Sequence, residues 1–150
     1  MSGRPAPPGG VSRPPVSATT SQGRELDLYE LARRTCVAYD AEFPDERDRY
    51  GPAGHQWCVH DNQHVLNWAV LSLTIKLDFD AELAWLARVL ESRAFPLPRM
   101  ARNLELLAAT VRDAFPDESE LAARIDDGAT FISSQSSFLP AEGAAKPRGR

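Results

Sequence analysis

No run of about 20 apolar residues occurs in this chain, so no stretch reads as a membrane-spanning helix. No segment alternates apolar and polar residues at period two over a useful length, which removes sheet-based folds. Glycine-rich phosphate loops, a GxSxG elbow and a Rossmann fingerprint are all missing, and with them the commonest nucleotide and acyl-transfer chemistries. The run 42–48 has no calcium-loop spacing and reads as a solvated turn. Cysteine is scarce: Cys36 and Cys58 are the two present, and they form no CxxC pair. The N-terminus lacks the apolar core of a secretory signal, so both read as free thiols in a reducing cytoplasm. Lysine is scarcer still beside arginine, 2 against 15. That bias is one a GC-rich genome imposes, and it points to an actinobacterial source.

Positive charge is also missing where a nucleic-acid surface would need it. The net charge is −4. Residues 1–23 and 132–150 carry +2 each, leaving −8 on residues 24–131. Phosphate contacts need clustered Lys and Arg, so an acidic core argues against nucleic-acid binding.

What is there is an ordinary globular composition, 43% apolar and 25% charged over 150 residues, enough for one domain. Residues 1–23 hold five of the twelve prolines and no acidic residue, and residues 132–150 are rich in Ser, Ala and Gly. Both ends bury little apolar surface and are expected to be disordered, leaving 24–131 as a single helical domain. Helical periodicity predicts helices over about 25–42, 61–77, 81–93 and 98–115. A short fifth is expected over 118–127, stopped by Gly128. Residues 44–60 contain Pro44, Gly51, Pro52 and Gly54 and read as a long connection. The expected fold is all-α: an antiparallel bundle of four main helices plus a short fifth, with disordered termini.

The chemically richest stretch is 55–77, HQWCVHDNQHVLNWAVLSLTIKL. It holds all three histidines, Cys58, Trp57 and Trp68. Its back half is apolar nearly all round, the mark of a central helix. Its front half contains His60-Asp61-Asn62-Gln63-His64. Histidines at i and i+4 share a helix face and can share a divalent metal. His60 and His64 are therefore the candidate metal ligands, with Asp61, His55 or Cys58 completing the shell, provided that the helix begins before His60. In the competing reading Asp61 caps the helix, Trp57 staples the loop onto it, and Asn62 and Gln63 face water. Cys58 near a helix N-terminus is also a candidate reactive thiol, paired with His60 or His55 and oriented by Asp61. Trp68 and Trp85, with Tyr39 and Phe95, are candidate walls of a small-molecule pocket, and Trp57 is placed with them.

Several resemblances follow from these residues. HDNQH resembles the HExxH motif of zinc hydrolases, with Asp61 in place of the Glu; this implies metal-assisted hydrolysis by a shorter carboxylate. The HxxxH pair on one helix also resembles DinB-type four-helix metal bundles. That likeness implies a further histidine from another helix, and no histidine lies outside 55–64. The segment FDAELAWLARVLESRAFPLPRMARNLELLAATV (79–111) is similar to the helical hairpins of bacterial regulatory bundles, including the cap of cobalamin-binding modules. The DxHxxG ligand motif of the latter is absent, so no cofactor is implied. The whole resembles the small helical proteins of actinomycetes.

The function expected from the sequence is that of a non-enzymatic cytoplasmic protein. It would bind a protein partner or itself, with no nucleic acid and no membrane. The alternative is a metal- or small-ligand-binding sensor, or a metal-assisted hydrolase, using the 55–64 cluster.

Overall fold

The computed structural model describes residues 13–140. The expected disorder of residues 1–12 and 141–150 lies outside the described residues. Residues 13–23 depart from expectation. They enter a two-stranded antiparallel hairpin, β1 (Ser17–Thr19) and β2 (Glu25–Asp27), with Ala18 opposite Leu26. Leu26 is the reason: it is buried in the main core, with Ala18 packed against it, so the hairpin has an apolar anchor. Its turn closes through Gly23, whose φ of 86° suits a residue without Cβ.

Among the described residues six helices follow in chain order: α1 (Leu28–Glu42), α2 (Glu46–Tyr50), α3 (Pro52–Thr74), α4 (Phe79–Ser92), α5 (Leu97–Ala114) and α6 (Ser119–Ser133). The architecture is the expected all-α antiparallel bundle, with the hairpin added. α5 packs along α6 and α1, α3 lies against α1, and α4 covers α6. The core runs through all of the long helices, from Leu28 and Leu31 through Leu66, Leu83, Leu104 and Leu107 to Ile125 and Ile132. Each fully buried aliphatic side chain of this kind stabilises by about 1.5–3 kcal/mol.

Capping explains the boundaries. Asp27 accepts from the Glu30 amide at 3.0 Å and starts α1; Asp78 accepts from the Ala81 amide at 3.0 Å and starts α4, as expected for one of the two aspartates there. Pro98 sits in the first turn of α5, where its missing amide costs nothing.

Two boundaries differ from expectation. Residues 44–60 are largely helical. Gly51, with φ 70°, makes the sharp turn from α2, and Pro52 occupies the first position of α3. Residues read as breakers therefore mark a helix start about nine residues earlier than expected. Asp61 lies inside α3 and caps nothing at its N-terminus. Gly128 does not stop the last helix but lies buried within it. A Cβ there would stand 2.6 Å from Leu83 Cδ1 and 2.8 Å from Phe79 Cε2, so glycine is what lets α6 approach α4. Residues 134–140, also expected to be disordered, fold back on α4. Glu91 accepts from Ser137 Oγ at 2.6 Å and from the Phe138 amide at 2.8 Å. Among the described residues no helix is long and apolar enough to cross a membrane.

Candidate functional site

The early start of α3 puts residues 55–64 on one continuous helix, which decides where each candidate goes. His60 and His64 share a face, with ring centroids 4.9 Å apart. Trp57 stacks edge-on to His60 at 4.7 Å, and Trp68 lies 5.9 Å from His64, so four rings run along one edge of α3. His64 is half-buried, and burial, helped by the neighbouring His60, holds its pKa below the ordinary 6.5. A neutral imidazole is the form that binds metal.

The rest of the proposed shell is directed elsewhere. His60 Nδ1 is 3.1 Å from Asp61 Oδ1. His55 is drawn to α1, with Nδ1 2.8 Å from Asp40 Oδ2. Among the described residues no three His, Cys, Asp or Glu side chains are grouped so as to hold a metal ion. A catalytic zinc requires three protein ligands, so the donor set that is present, one histidine pair, does not fit such a centre.

Cys58 requires a correction. It is bonded to Cys36 of α1 in a disulfide, with Cα atoms 6.1 Å apart, and neither residue is a free thiol. Cys58 also lies in the second turn of α3 rather than at its start. The pairing carried no local signal, because the two residues are 22 apart in sequence and meet only where α1 packs on α3. Asn62 and Gln63 are corrected as well: both are buried rather than facing water. Gln63 Nε2 donates to the Pro15 carbonyl at 3.0 Å and holds the residues before the hairpin. Asn62 Nδ2 donates to Cys36 Sγ at 3.3 Å, to Cys58 Sγ at 3.5 Å and to Asn103 Oδ1 of α5 at 3.1 Å.

The most substantial feature is a cavity of about 980 Å³ among α1, α2, the N-terminal half of α3, the end of α4 and the start of α5. Tyr39, Phe43, Tyr50, Trp57 and Phe95 give it aromatic walls, and Val65, Leu86, Leu90, Met100 and Leu104 line its apolar depth. Of the side chains expected to wall a pocket, Tyr39, Phe95 and Trp57 do so. Trp68 and Trp85 do not: Trp68 packs on the main core, and Trp85 is half exposed on α4. Periodicity marked the apolar faces correctly but could not say which of them leaves a gap.

α2 closes one side of this cavity without burying any residue of its own. It is held by Glu46, which accepts from Tyr39 Oη at 2.7 Å and from Arg99 Nη1 at 2.7 Å. Arg99 also reaches Asp45 at 3.2 Å and lies over the Phe43 ring, 4.4 Å from its centroid. Burial, and then the bond to Glu46, push the Tyr39 hydroxyl well above its ordinary range, so it remains a donor. The bond from Arg99 holds the Asp45 carboxyl below its usual value.

Tyr50, the last residue of α2, stacks on Phe95 with ring centroids 5.7 Å apart. Its Oη is buried and has no hydrogen-bond partner among the described residues. Comparison with protein-family models, with curated proteins and with solved structures finds no match for this chain.

Proposed function

We propose that the chain acts by binding, without catalysis, a neutral and largely apolar small molecule in the cavity closed by α2. The observation that carries this reading is the cavity itself. At about 980 Å³ it lies at the upper end of the range of about 300–1,000 Å³ in which small-molecule sites fall. Its aromatic walls suit a ligand with a planar ring system. Neutrality is inferred because the carboxylates at its border already have partners, Asp40 in His55, Glu46 in Arg99 and Asp61 in His60, while the arginines that also line it, Arg47, Arg49 and Arg93, are exposed and keep their charge in water. Among the described residues that line it, no isolated buried charge calls for a counter-ion. Among the uncharged polar groups of its wall, the Asn62 and Asn103 amides bond to each other, while the Tyr50 hydroxyl has no partner among the described residues, as expected where a handful of polar groups orients an apolar ligand.

The expected binding role is thus kept, with the partner changed from a protein to a small molecule. The exposed large apolar side chains favour this choice. Val16 lies just before β1, Tyr29 and Val37 on α1, Ile75 just beyond α3, Trp85 on α4 and Leu139 beyond α6, spread over separate elements. Singly exposed apolar residues are normal and mark no interface. A cytoplasmic setting is part of the proposal, and there a disulfide is a transient or redox-sensing bond rather than a permanent brace.

The test is a fluorescence titration of the full chain with the neutral probe N-phenyl-1-naphthylamine, beside a Leu90→Trp variant that fills the cavity. The expected result is saturable one-to-one binding that weakens at least tenfold in the variant, with helix content and thermal midpoint little changed. Absence of binding to the unaltered chain, or equal binding to both, would sink the reading.

A further inference from the structure

We propose that Cys36–Cys58 is a site of thiol–disulfide exchange, entered at Cys58 from the cavity by a dithiol, and that its state controls whether the cavity holds its ligand. The control half of this inference rests on the ligand reading above; the exchange half does not.

Access differs between the two sulfurs. Cys36 is fully buried, whereas Cys58 is partly exposed and lines the cavity. An incoming thiolate therefore meets Cys58. Attack there forms a mixed disulfide on Cys58 and expels Cys36 as the leaving thiolate. The Asn62 amide already donates to Cys36 Sγ at 3.3 Å, so the sulfur that gains charge has a donor in place. Exchange rates rise as the leaving thiol becomes a better leaving group. The second thiol of the same reagent then attacks the reagent's own sulfur in the mixed disulfide and frees Cys58. Two protons from the dithiol end on Cys36 and Cys58. Two electrons pass to the protein, and the reagent leaves as a cyclic disulfide. Oxidation by a disulfide of the same class runs the steps in reverse.

The bond sits where its loss has consequences. The N-terminal half of α3 supplies His55, Trp57, Cys58 and Asn62 to the cavity wall. Around the disulfide the packing is thin: Ala32, Cys36 and Val59 form a small cluster of their own, with Cys58 against it and apart from the main core. Further along the same seam, His55 meets Asp40 in a pair whose side chains are 40% and 41% exposed, and exposed pairs hold little. The covalent link therefore supplies much of what holds this half of α3 against α1. Asn62 connects the link to the cavity, since the amide that donates to both sulfurs also pairs with Asn103 on α5. Reduction replaces one covalent contact by two thiols that need more room, and the segment that must yield is the cavity wall.

The experiment follows the full chain, oxidised and after reduction with dithiothreitol under native conditions, by three readouts. Thiol titration counts the cysteines released. Hydrogen–deuterium exchange reports on residues 52–63. Titration with N-phenyl-1-naphthylamine reports on the cavity. The expected result is two thiols released without unfolding, faster exchange in 52–63 with α5 and α6 unchanged, and probe affinity lowered at least fivefold and restored on reoxidation. A Cys36→Ala/Cys58→Ala variant should bind the probe like the reduced chain and ignore dithiothreitol. A bond that resists reduction until the protein unfolds overturns the exchange site. Unchanged hydrogen exchange in 52–63 after reduction, or equal probe affinity in the two states, overturns the control. If the oxidised chain does not bind the probe at all, the ligand reading and the control fall together, while the thiol count still decides the exchange site.

Discussion

Asn62 of α3 and Asn103 of α5 hold each other by both ends: Asn62 Nδ2 donates to Asn103 Oδ1 at 3.1 Å, and Asn103 Nδ2 donates to Asn62 Oδ1 at 2.8 Å. This amide pair lies at the cavity and beside the disulfide. Asn62 is 2% exposed, so the loss of its partner leaves a buried amide short of a hydrogen bond. Truncating Asn103 to Ala should therefore cost about 1–3 kcal/mol, the price of an unpaired buried polar group. In a cycle with Asn62→Ala the two changes should couple by about 0.5–3 kcal/mol. Urea denaturation of the four proteins measures this; strict additivity would mean that the pair is not formed.

Glu118 fastens the hairpin to the turn between α5 and α6. It is 2% exposed, and its carboxylate accepts from Thr20 Oγ1 at 2.9 Å, Arg24 Nε at 3.1 Å and Gln22 Nε2 at 3.3 Å. Arg24 also lies over the Phe115 ring, 4.6 Å from its centroid. Glu118→Ala is expected to destabilise by about 1–3 kcal/mol, because three donors lose one acceptor. Arg24 is partly exposed and can turn to water, which keeps the loss below that of a fully buried pair. Limited proteolysis should find new cleavage within residues 13–24 in the variant, with α1 to α6 still protected. Cleavage spread over the whole chain would show that the hairpin is not a separate latch.

At Gly128 two effects oppose each other. Alanine favours a helix over glycine by about 1 kcal/mol. The added Cβ would stand 2.6 Å from Leu83 and 2.8 Å from Phe79, and overpacking costs about 1–3 kcal/mol. The Phe79 ring is buried and has little room to move, so the clash wins. Gly128→Ala should lower the thermal midpoint, and Leu83→Val in the same chain should recover part of the loss. A raised midpoint would mean that α4 and α6 separate more easily than their packing implies.

Gly128 also shows how far the sequence could be read. Apolar periodicity, Asp78 and the prolines located α1, α4 and α5 to within a few residues, because amphipathic faces and caps are local properties. Glycine and proline were the ambiguous letters. Gly128 looked like a stop and is a close-packing point; Gly51 and Pro52 looked like a loop and are the turn and first residue of α3. The same residue types end helices and begin them, and only the packing of other elements tells which. Leu26 hid the hairpin for a similar reason, since it stands beside the apolar stripe of α1 and residues 25–27 read as the first turn of that helix, whereas they form β2. The cavity and the disulfide were least legible. Both depend on how α1, α3 and α5 are spaced, and the sequence ranks apolar faces without measuring the gaps between them.

The lowered pKa of His64 fixes the sign of a pH effect. Its unfolded value is near 6.5, and its folded value is lower because burial, and then His60, disfavour the imidazolium, against a smaller opposing pull from Asp61. As pH falls through 6.5 the unfolded chain takes up the proton first, so His64 contributes stability above that pH and loses it below, until the folded form protonates too. Urea midpoints at pH 7.5, 6.5 and 5.5 should therefore fall with pH, and His64→Gln should flatten the slope. An unchanged slope in that variant would place the titrating group elsewhere.

Tyr50 should set stability against binding. Its buried hydroxyl has no partner among the described residues, and leaving such a group unpaired costs about 1–3 kcal/mol. Desolvation accordingly pushes its pKa above the ordinary 10.0. Tyr50→Phe keeps the ring stacked on Phe95 and removes the unpaired oxygen, so the unliganded chain should become more stable by about 1 kcal/mol. A ligand that hydrogen-bonds to Tyr50 Oη would lose affinity in the same variant. Such opposed changes are the usual signature of a residue kept for binding at the expense of stability. Thermal denaturation of the two chains with and without ligand separates the cases. A variant that is more stable alone and less stabilised by ligand assigns the hydroxyl to recognition. A variant that is less stable alone means that the hydroxyl has a bonding partner within the fold, and the polar part of the cavity would then rest on Asn62 and Asn103.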